Sequence, residues 1–522
     1  MPHGIETRLI ETVTPMVREL VTTQARALAD LHYADVRLEV SEGKFAGAEN
    51  GEAKISGDDY AFALGIRVLA GRRMTAPGYF GRGLGVADVP HLARLLREGL
   101  LAAYRRAMAN AEMKADVKSK FGALGDALSD TRLHPIAVRQ ETVPAVFEVD
   151  PRGVALDDMQ RLTTEVSGRV AGVHASVSYN YISTMTQLSR ELFASSEGAL
   201  IDQSFALTQG MCYVVATGPH NSQEIYDVLG HQRGWEILEH GVDEGAIRFP
   251  PFAAFAVAIG ADAVELAAAP ALPSLDHEVT VVTDPHYNTL LSHEIIGHPV
   301  ELDRGLKMEA AYAGRSWLLR GLDDHQVGQQ VASPLVTAYS DPSLPGYGHY
   351  AYDHEGTPAR RVVHIDRGVF RGFMNSRQTA AVFGGEPNGH WKSTEAALVP
   401  LIRMSSTVFA AGDRSPADII REVDRGYYLV GHKIPSIAES RENFRISARK
   451  VYEITRGGLG RLYRDGGIMA DSRDYLMKVD AVGDDFRLYP ISNCGKGQPM
   501  QIKKLGNGGP TMRSRAILTG GR

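Results

Sequence analysis

Cysteine is almost missing: Cys212 and Cys494 are the only two in 522 residues. A small module stapled by disulfides needs many closely spaced cysteines, so that class is excluded. An excess of one charge is missing too. Lys and Arg number 56 against 62 Asp and Glu, and the net charge of −6 gives no general reason to expect nucleic-acid binding. With 44% hydrophobic residues, so small an imbalance also excludes intrinsic disorder. Long apolar runs are absent. The longest, residues 250–272, is rich in alanine and broken by Asp262 and Glu265. A membrane span needs about 20 uninterrupted apolar residues, so this run reads as a buried amphipathic helix. The first residues carry no basic region followed by an apolar stretch, so no signal peptide is expected, and the scarcity of thiols makes the cytoplasm the expected compartment. No repeat of a fixed solenoid-like period occurs.

What the chain has is glycine, 54 residues or about 10%, against a usual 7% or so. That favours tight turns and antiparallel sheet. Ile5, Leu9, Ile10, Val13, Val17, Leu20 and Val21 recur at helical spacing, so the first 30 or so residues read as a helix. Val36, Leu38 and Val40, then Phe62, Leu64, Ile66 and Val68, alternate as strands do. Asp88 and Pro90 predict the start of a second long helix running from His91 to Lys118. Residues 120–150 are irregular and read as a connection between subdomains. Helices are predicted over 157–170, 222–239 and 251–269, and strands over 173–181, 187–194 and 205–216. After Pro270 the pattern changes to a strand at 277–284, a short helix at 285–297, and many short apolar runs from 330 onward, among them 361–365, 369–374, 449–454 and 474–481. The fold class is therefore α+β: an N-terminal α+β domain over 1–275 with antiparallel sheet and long helices, and a β-rich C-terminal domain over 276–522 carrying the candidate site.

Three His-Glu dipeptides occur among the 18 histidines, His277-Glu278, His293-Glu294 and His354-Glu355. Only the second has a further histidine in register, as His293-Glu294-Ile295-Ile296-Gly297-His298. Two imidazoles close in space can hold Zn²⁺, and an adjacent carboxylate can take a proton from metal-bound water. The spacing is one residue longer than H-E-x-x-H. On a regular helix, at about 100° per residue, the second histidine turns away by about 140°. The cluster converges only if the backbone leaves the regular helix. Gly297 tolerates unusual dihedrals, Pro299 is expected to push His298 out of the α region, and a π-type turn serves equally well. Asp284 as N-cap and Pro285 in first position mark the helix start. A helix end with two incidental histidines is the competing reading. Cys494, in Ser492-Asn493-Cys494-Gly495-Lys496, has small neighbours and a nearby lysine that favour a thiolate; a buried structural thiol is its alternative, and Cys212 in Met211-Cys212-Tyr213 fits that alternative.

With these elements in order, the chain resembles the TldD/PmbA family of metallopeptidases. The H-E-x-x-x-H helix is followed by Glu301 and by Ala311-Tyr312-Ala313-Gly314-Arg315, then by Glu355-Gly356-Thr357-Pro358 and by Asn493-Cys494-Gly495-Lys496. Tyr33-Ala34-Asp35-Val36 and Leu64-Gly65-Ile66-Arg67-Val68 look like the family's N-terminal pattern, and Arg403-Met404 and residues 445–453 also fall in order. Pro299 stands where the family usually has glycine, and residues 110–150 match no family element. The resemblance implies one zinc ion per active subunit on His293, His298 and Cys494, with Glu294 as general base. It implies an α+β domain followed by a β-rich one. It also implies a homodimer, or a heterodimer with a PmbA/TldE-type subunit, enclosing the site in a cavity.

The expected activity is zinc-dependent hydrolysis of unfolded or short peptides, with metal-bound water attacking the peptide carbonyl. Glu301 is a candidate to orient a histidine ligand; a solvated surface carboxylate is its alternative. His286, Tyr312 and Arg403 are weak candidates for an oxyanion donor. Partners other than peptide and a second subunit, such as nucleic acid or membrane, are not expected. Two other functions compete: a non-catalytic scaffold or partner subunit of a TldD/PmbA-type complex, and a hydrolase using Cys494 as nucleophile.

Overall fold

The structure is a computed structural model and describes residues 5–120, 129–219, 221–309, 311 and 314–521. Its first half is built on a seven-stranded sheet. Strands Ala76–Gly83, Glu52–Ala70, Leu31–Glu49, Val177–Ser195 and Leu200–Thr217 follow one another in space, all antiparallel. Along the far edge of the last, Ser222–His231 pairs antiparallel with 208–217 and Gln140–Val143 pairs parallel with 200–203. Alternation decides the faces. Val36, Leu38, Val40, Leu64, Ile66 and Val68 are buried in one cluster with helices Leu9–Glu19 and Leu92–Lys120. Helices Leu156–Ala171 and Phe252–Ala268 cover the sheet further along, where Cys212 lies in the core. The opposite face carries Arg37, Glu39 and Ser41 and looks toward the second half.

The second half holds two larger sheets. Glu278–Thr283 pairs with Arg425–Ile437 on one side and Met512–Thr519 on the other. Through Asn443–Thr455 and Gly467–Asp471 this closes five strands into a ring. A six-stranded sheet beside it ends in Ser406–Phe409, Gln501–Gly509 and the edge strand Arg487–Lys496, which carries Cys494. The fold is thus α+β with a β-rich C-terminal region. Among the described residues no helix is long and apolar enough to cross a membrane.

Several expectations need correction. Residues 222–239 are not one helix but strand Ser222–His231 followed by the short helix Glu236–His240. Ile225, Val228 and Leu229 stand at helical i, i+3, i+4 spacing, but burial alternates at Gln223 and Ile225 and ten paired positions against the neighbouring strand decide it. Residues 173–181 and 187–194 are not two strands; 177–195 is one continuous strand. Within 474–481 the chain forms helix Ser472–Met477, capped by Asp471, rather than a strand. Asp88 does not cap the long helix. Its carboxylate accepts the Gly85 N–H at 2.9 Å and closes a 3₁₀ turn, Val86–His91, ahead of it.

Three of the family-like motifs lie away from the histidine cluster and meet each other. Arg67, 2% exposed, reaches Asp35 at 2.6 Å and Glu355 at 3.0 Å, while Glu355 also accepts the Arg377 N–H at 2.6 Å. The Trp391 ring lies 4.2 Å from the Arg67 guanidinium. At Gly65 a Cβ would fall 1.9 Å from the Ala396 carbonyl, so only glycine lets that loop dock on the sheet. The motifs at 33–36, 64–68 and 355–358 thus form a buried junction joining the first sheet to the stretch between the histidines and Cys494. Arg67→Met leaves two carboxylates buried without their cation. We expect a loss of about 3–5 kcal/mol of stability in chemical denaturation.

Candidate metal centre

Asp284 accepts the Tyr287 N–H at 2.6 Å and starts helix Pro285–Leu291. Leu290, Leu291, Ile295 and Ile296 bury the helix in the largest apolar core. The helix then widens into a π-helix, Ser292–Gly297, in which the His298 N–H donates to the His293 carbonyl at 3.2 Å. A bond spanning five residues places His298 above His293, which is what H-E-x-x-x-H needs. The ring centroids are 4.7 Å apart and nearly perpendicular, at 88°.

The expected roles of Gly297 and Pro299 differ from what is found. His298 keeps helical dihedrals, φ −68° and ψ −42°, so Pro299 does not expel it from the α region; the longer hydrogen bond alone makes the change of register. Gly297 serves close approach rather than unusual dihedrals, since a Cβ there would lie 2.0 Å from Met404 Sδ.

Both rings are oriented by buried acceptors. His293 Nδ1 lies 3.0 Å from Asn507 Oδ1, and Asn507 Nδ2 donates to the Thr407 carbonyl at 2.9 Å, which fixes the amide. His298 Nδ1 lies 3.1 Å from Glu301 Oε2. Neither acceptor can donate, so each Nδ1 carries a proton and Nε2 is the nitrogen left to face a ligand. Cys494 Sγ is 3.7 Å from His298 Nε2. One donor atom from each of His293, His298 and Cys494 lies within 4.8 Å of the others, and all three residues are buried.

A charged shell surrounds the cluster. Glu301, 0% exposed, is no surface carboxylate: its Oε2 also takes Arg304 Nε at 2.7 Å and Lys496 Nζ at 3.2 Å. Lys496 binds Asp303 and the Ile402 carbonyl, both at 2.7 Å, so it serves the shell rather than the thiolate. Arg403 spends both terminal nitrogens on the carbonyls of Cys494, at 2.6 Å, and Gln501, at 3.1 Å. It holds the cysteine strand and is not free as an oxyanion donor. His286 is not at the cluster either. It stacks on His432 at 4.7 Å and meets Tyr489, with Asp227 at 3.7 Å. Tyr312 lies outside the described residues.

Burial alone would raise the Cys494 thiol's pKa, but His293, His298 and Arg403 outweigh it and hold it well below its ordinary value. Burial likewise works to lower the pKa of His293; the Cys494 thiolate, with smaller help from Glu294 and Asn507, brings it up to about 9. Glu294 would be raised by burial, yet Arg441 and the two histidines keep it below the usual carboxylate range. The two histidines thus favour the thiolate form of Cys494, and a divalent cation bound there would displace protons from the cluster. Two nitrogens and a thiolate, each oriented from behind, suit zinc.

Sequence reasoning missed Asn507 and Arg441. Arg441 forms an ion pair with Glu294 Oε2 from a turn where its own φ is +66°. The turn is tied down by the Arg441 N–H on Ala438, at 2.9 Å, and by Ser472 Oγ on the Arg441 carbonyl, at 2.7 Å. The motif around Gly314-Arg315 runs beside this turn, with Trp317 N–H on Ser440 O at 3.1 Å. Lys496 was within sight, in the Asn493-Cys494-Gly495-Lys496 element.

The model of the PmbA/TldA metallopeptidase C-terminal domain matches residues 276–521. A metalloprotease from Methanothermobacter thermautotrophicus is 31% identical over 342 residues, covering 65% of this chain and 69% of that protein. A zinc metalloprotease TldD homolog from Saccharolobus solfataricus is 28% identical over 250 residues, 47% of this chain and 52% of that one. Among solved structures, TldE from Thermococcus kodakarensis has a TM-score of 0.66 at 16% identity, covering 98% of this chain and 99% of that one. The chain belongs to the TldD/PmbA family of metallopeptidases.

Gly297→Ala sets a methyl against Met404, whereas Gly372→Ala meets nothing within 4 Å. We expect the first to cost about 1–3 kcal/mol in denaturant titrations and the second to be close to neutral.

Proposed function

We propose that the chain is a zinc-dependent peptidase of the TldD type that hydrolyses unfolded or short peptides in an enclosed cavity. The observation that carries this is the convergence of His293, His298 and Cys494 with both imidazoles held in the tautomer that offers Nε2. Those three residues would hold the ion, which supplies Lewis-acid polarisation of a carbonyl and a lowered pKa for water when bound. The zinc assignment draws on the N₂S donor set and on the name of the Saccharolobus relative.

Glu294 is the general base. Its Oε2 is tethered by Arg441, which leaves Oε1 to accept the proton of the attacking water and later to pass it to the leaving amine. Arg441 keeps the carboxylate ionised and aimed. Glu301 orients His298, and Lys496 and Arg304 hold Glu301 in place. The strand that carries Cys494 is the edge of its sheet, which favours binding of an extended peptide by main-chain pairing and hence broad sequence tolerance. We assign residues 1–275 to an N-terminal domain and 276–522 to the metal-binding one. We expect the working form to be a homodimer or a heterodimer with a TldE-type subunit.

Likeness in fold to TldE keeps a second reading alive, a non-catalytic partner subunit. Metal analysis separates the two. The peptidase reading expects about one zinc per chain, lost in His293→Ala; a zinc content near zero that His293→Ala leaves unchanged favours the partner reading. Glu294→Gln should keep its zinc and lose about 10²–10⁴-fold in peptide hydrolysis. Activity that survives this change sinks the base assignment. Activity that resists chelation points instead to Cys494 as nucleophile.

A further inference from the structure

The polar face of the first sheet meets the second half directly at Gly65, Arg67 and Glu39 but leaves a gap beside these contacts. Between them lies a cavity of about 310 Å³. Its walls include Glu39 and Ser41 of the first sheet and, from the second half, Lys392, Met404 and Leu505. It adjoins the metal centre, because Met404 packs on Gly297 and Leu505 lies two residues before Asn507 on the same face of its strand.

One wall group is unusual. Lys392 is 4% exposed and lines this space. Among the described residues its ammonium has no hydrogen bond and no carboxylate within ion-pair distance. Instead it sits over the Tyr350 ring at 4.0 Å and near the Phe205 ring at 5.4 Å. Four acids line the same space, Glu39, Asp59, Glu191 and Glu395, and none comes within ion-pair distance of the ammonium: Glu191 holds His354 at 3.2 Å, and Glu39 accepts the Ala396 N–H at 3.0 Å. Burial lowers the Lys392 pKa to about 8 against the pull of Glu191, as expected for a cation short of a partner. Lys503 and Lys504 line the same cavity. Lys503 bonds only the Ser393 carbonyl, at 3.1 Å, and Lys504 has no ion-pair partner among the described residues. A buried, unpaired ammonium is costly, and an aromatic cage holds it in place without satisfying its donors. A carboxylate would satisfy them.

The backbone couples this wall to the centre. Lys392 pairs with Leu401, and the next residue, Ile402, gives its N–H to Asp303 at 3.1 Å and its carbonyl to Lys496 at 2.7 Å.

We propose that this cavity is a carboxylate subsite for the peptide ligand, with Lys392 as its anchor and Lys503 and Lys504 as supporting charge. The proposal rests on the peptidase reading and adds to it a preference for peptides presenting a carboxylate at this depth.

Binding tests it without turnover. A fluorescein-labelled octapeptide of alanine and serine is titrated into the full-length Glu294→Gln protein, followed by anisotropy, in three versions. One has a free C-terminal carboxylate, one is C-terminally amidated, and one is amidated with a single internal glutamate. The free acid, or the glutamate version if the source is a side chain, should bind about tenfold more tightly than the plain amide. Lys392→Met should remove that preference, and Lys392→Arg should retain it. Equal binding of all three peptides overturns the subsite even if Lys392→Met does not fold, and so does a preference that persists in Lys392→Met. Either result leaves the peptidase reading intact. Carboxylate-dependent binding without zinc-dependent hydrolysis by the unsubstituted protein would do the reverse.

Discussion

One backbone hydrogen bond governs the site. The His298 N–H reaches the His293 carbonyl across five residues rather than four, and that single change of register brings two imidazoles onto one side of a buried helix. On a regular helix they would point to different neighbours, and Cys494 would have one partner instead of two. A π-helix is a poorer structure than an α-helix, so something must hold it. Here the flanking apolar residues do so, with Ile295 and Ile296 in the core and Met404 pressed against the bare Cα of Gly297. Pro299 fits because it follows the turn and adds no N–H that would need a partner.

Around the histidines the protein has buried an uncommon amount of charge. Glu301, Asp303, Arg304 and Lys496 are all nearly inaccessible, and each finds an opposite partner within the group. Such a network is weak evidence for stability, since desolvation offsets much of the attraction. Its value is orientation. Glu301 is held ionised by two cations and so can only accept from His298 Nδ1, which leaves Nε2 for the ligand position. Asn507 does the same for His293 with a neutral amide. Arg403 fixes the cysteine strand by its carbonyl, leaving the thiolate free.

Much of this was legible in the chain itself. Asp284 and Pro285 mark the helix start, the spacing of His293 and His298 demands a non-α turn, and Cys494 stands out because only one other cysteine exists. The α+β class follows from alternation in the first half and from short, glycine-bounded runs in the second. What escaped notice has a common cause. Asn507 reaches His293 across 214 residues and Arg441 reaches Glu294 across 147, so nothing local marks either one. The strand at 222–231 escaped because Ile225, Val228 and Leu229 carry helical spacing, which pairing with the neighbouring strand overrides. The junction of Asp35, Arg67 and Glu355 was visible as three separate motifs, but not as one contact.

On this reading a thiolate far along the chain completes a metal site begun by two histidines on a π-turn. Zinc X-ray absorption on the purified protein tests it most directly. We expect one sulfur and at least two nitrogen scatterers in the zinc shell, with the sulfur lost in Cys494→Ser. A zinc shell of nitrogen and oxygen alone in the unsubstituted protein would contradict it.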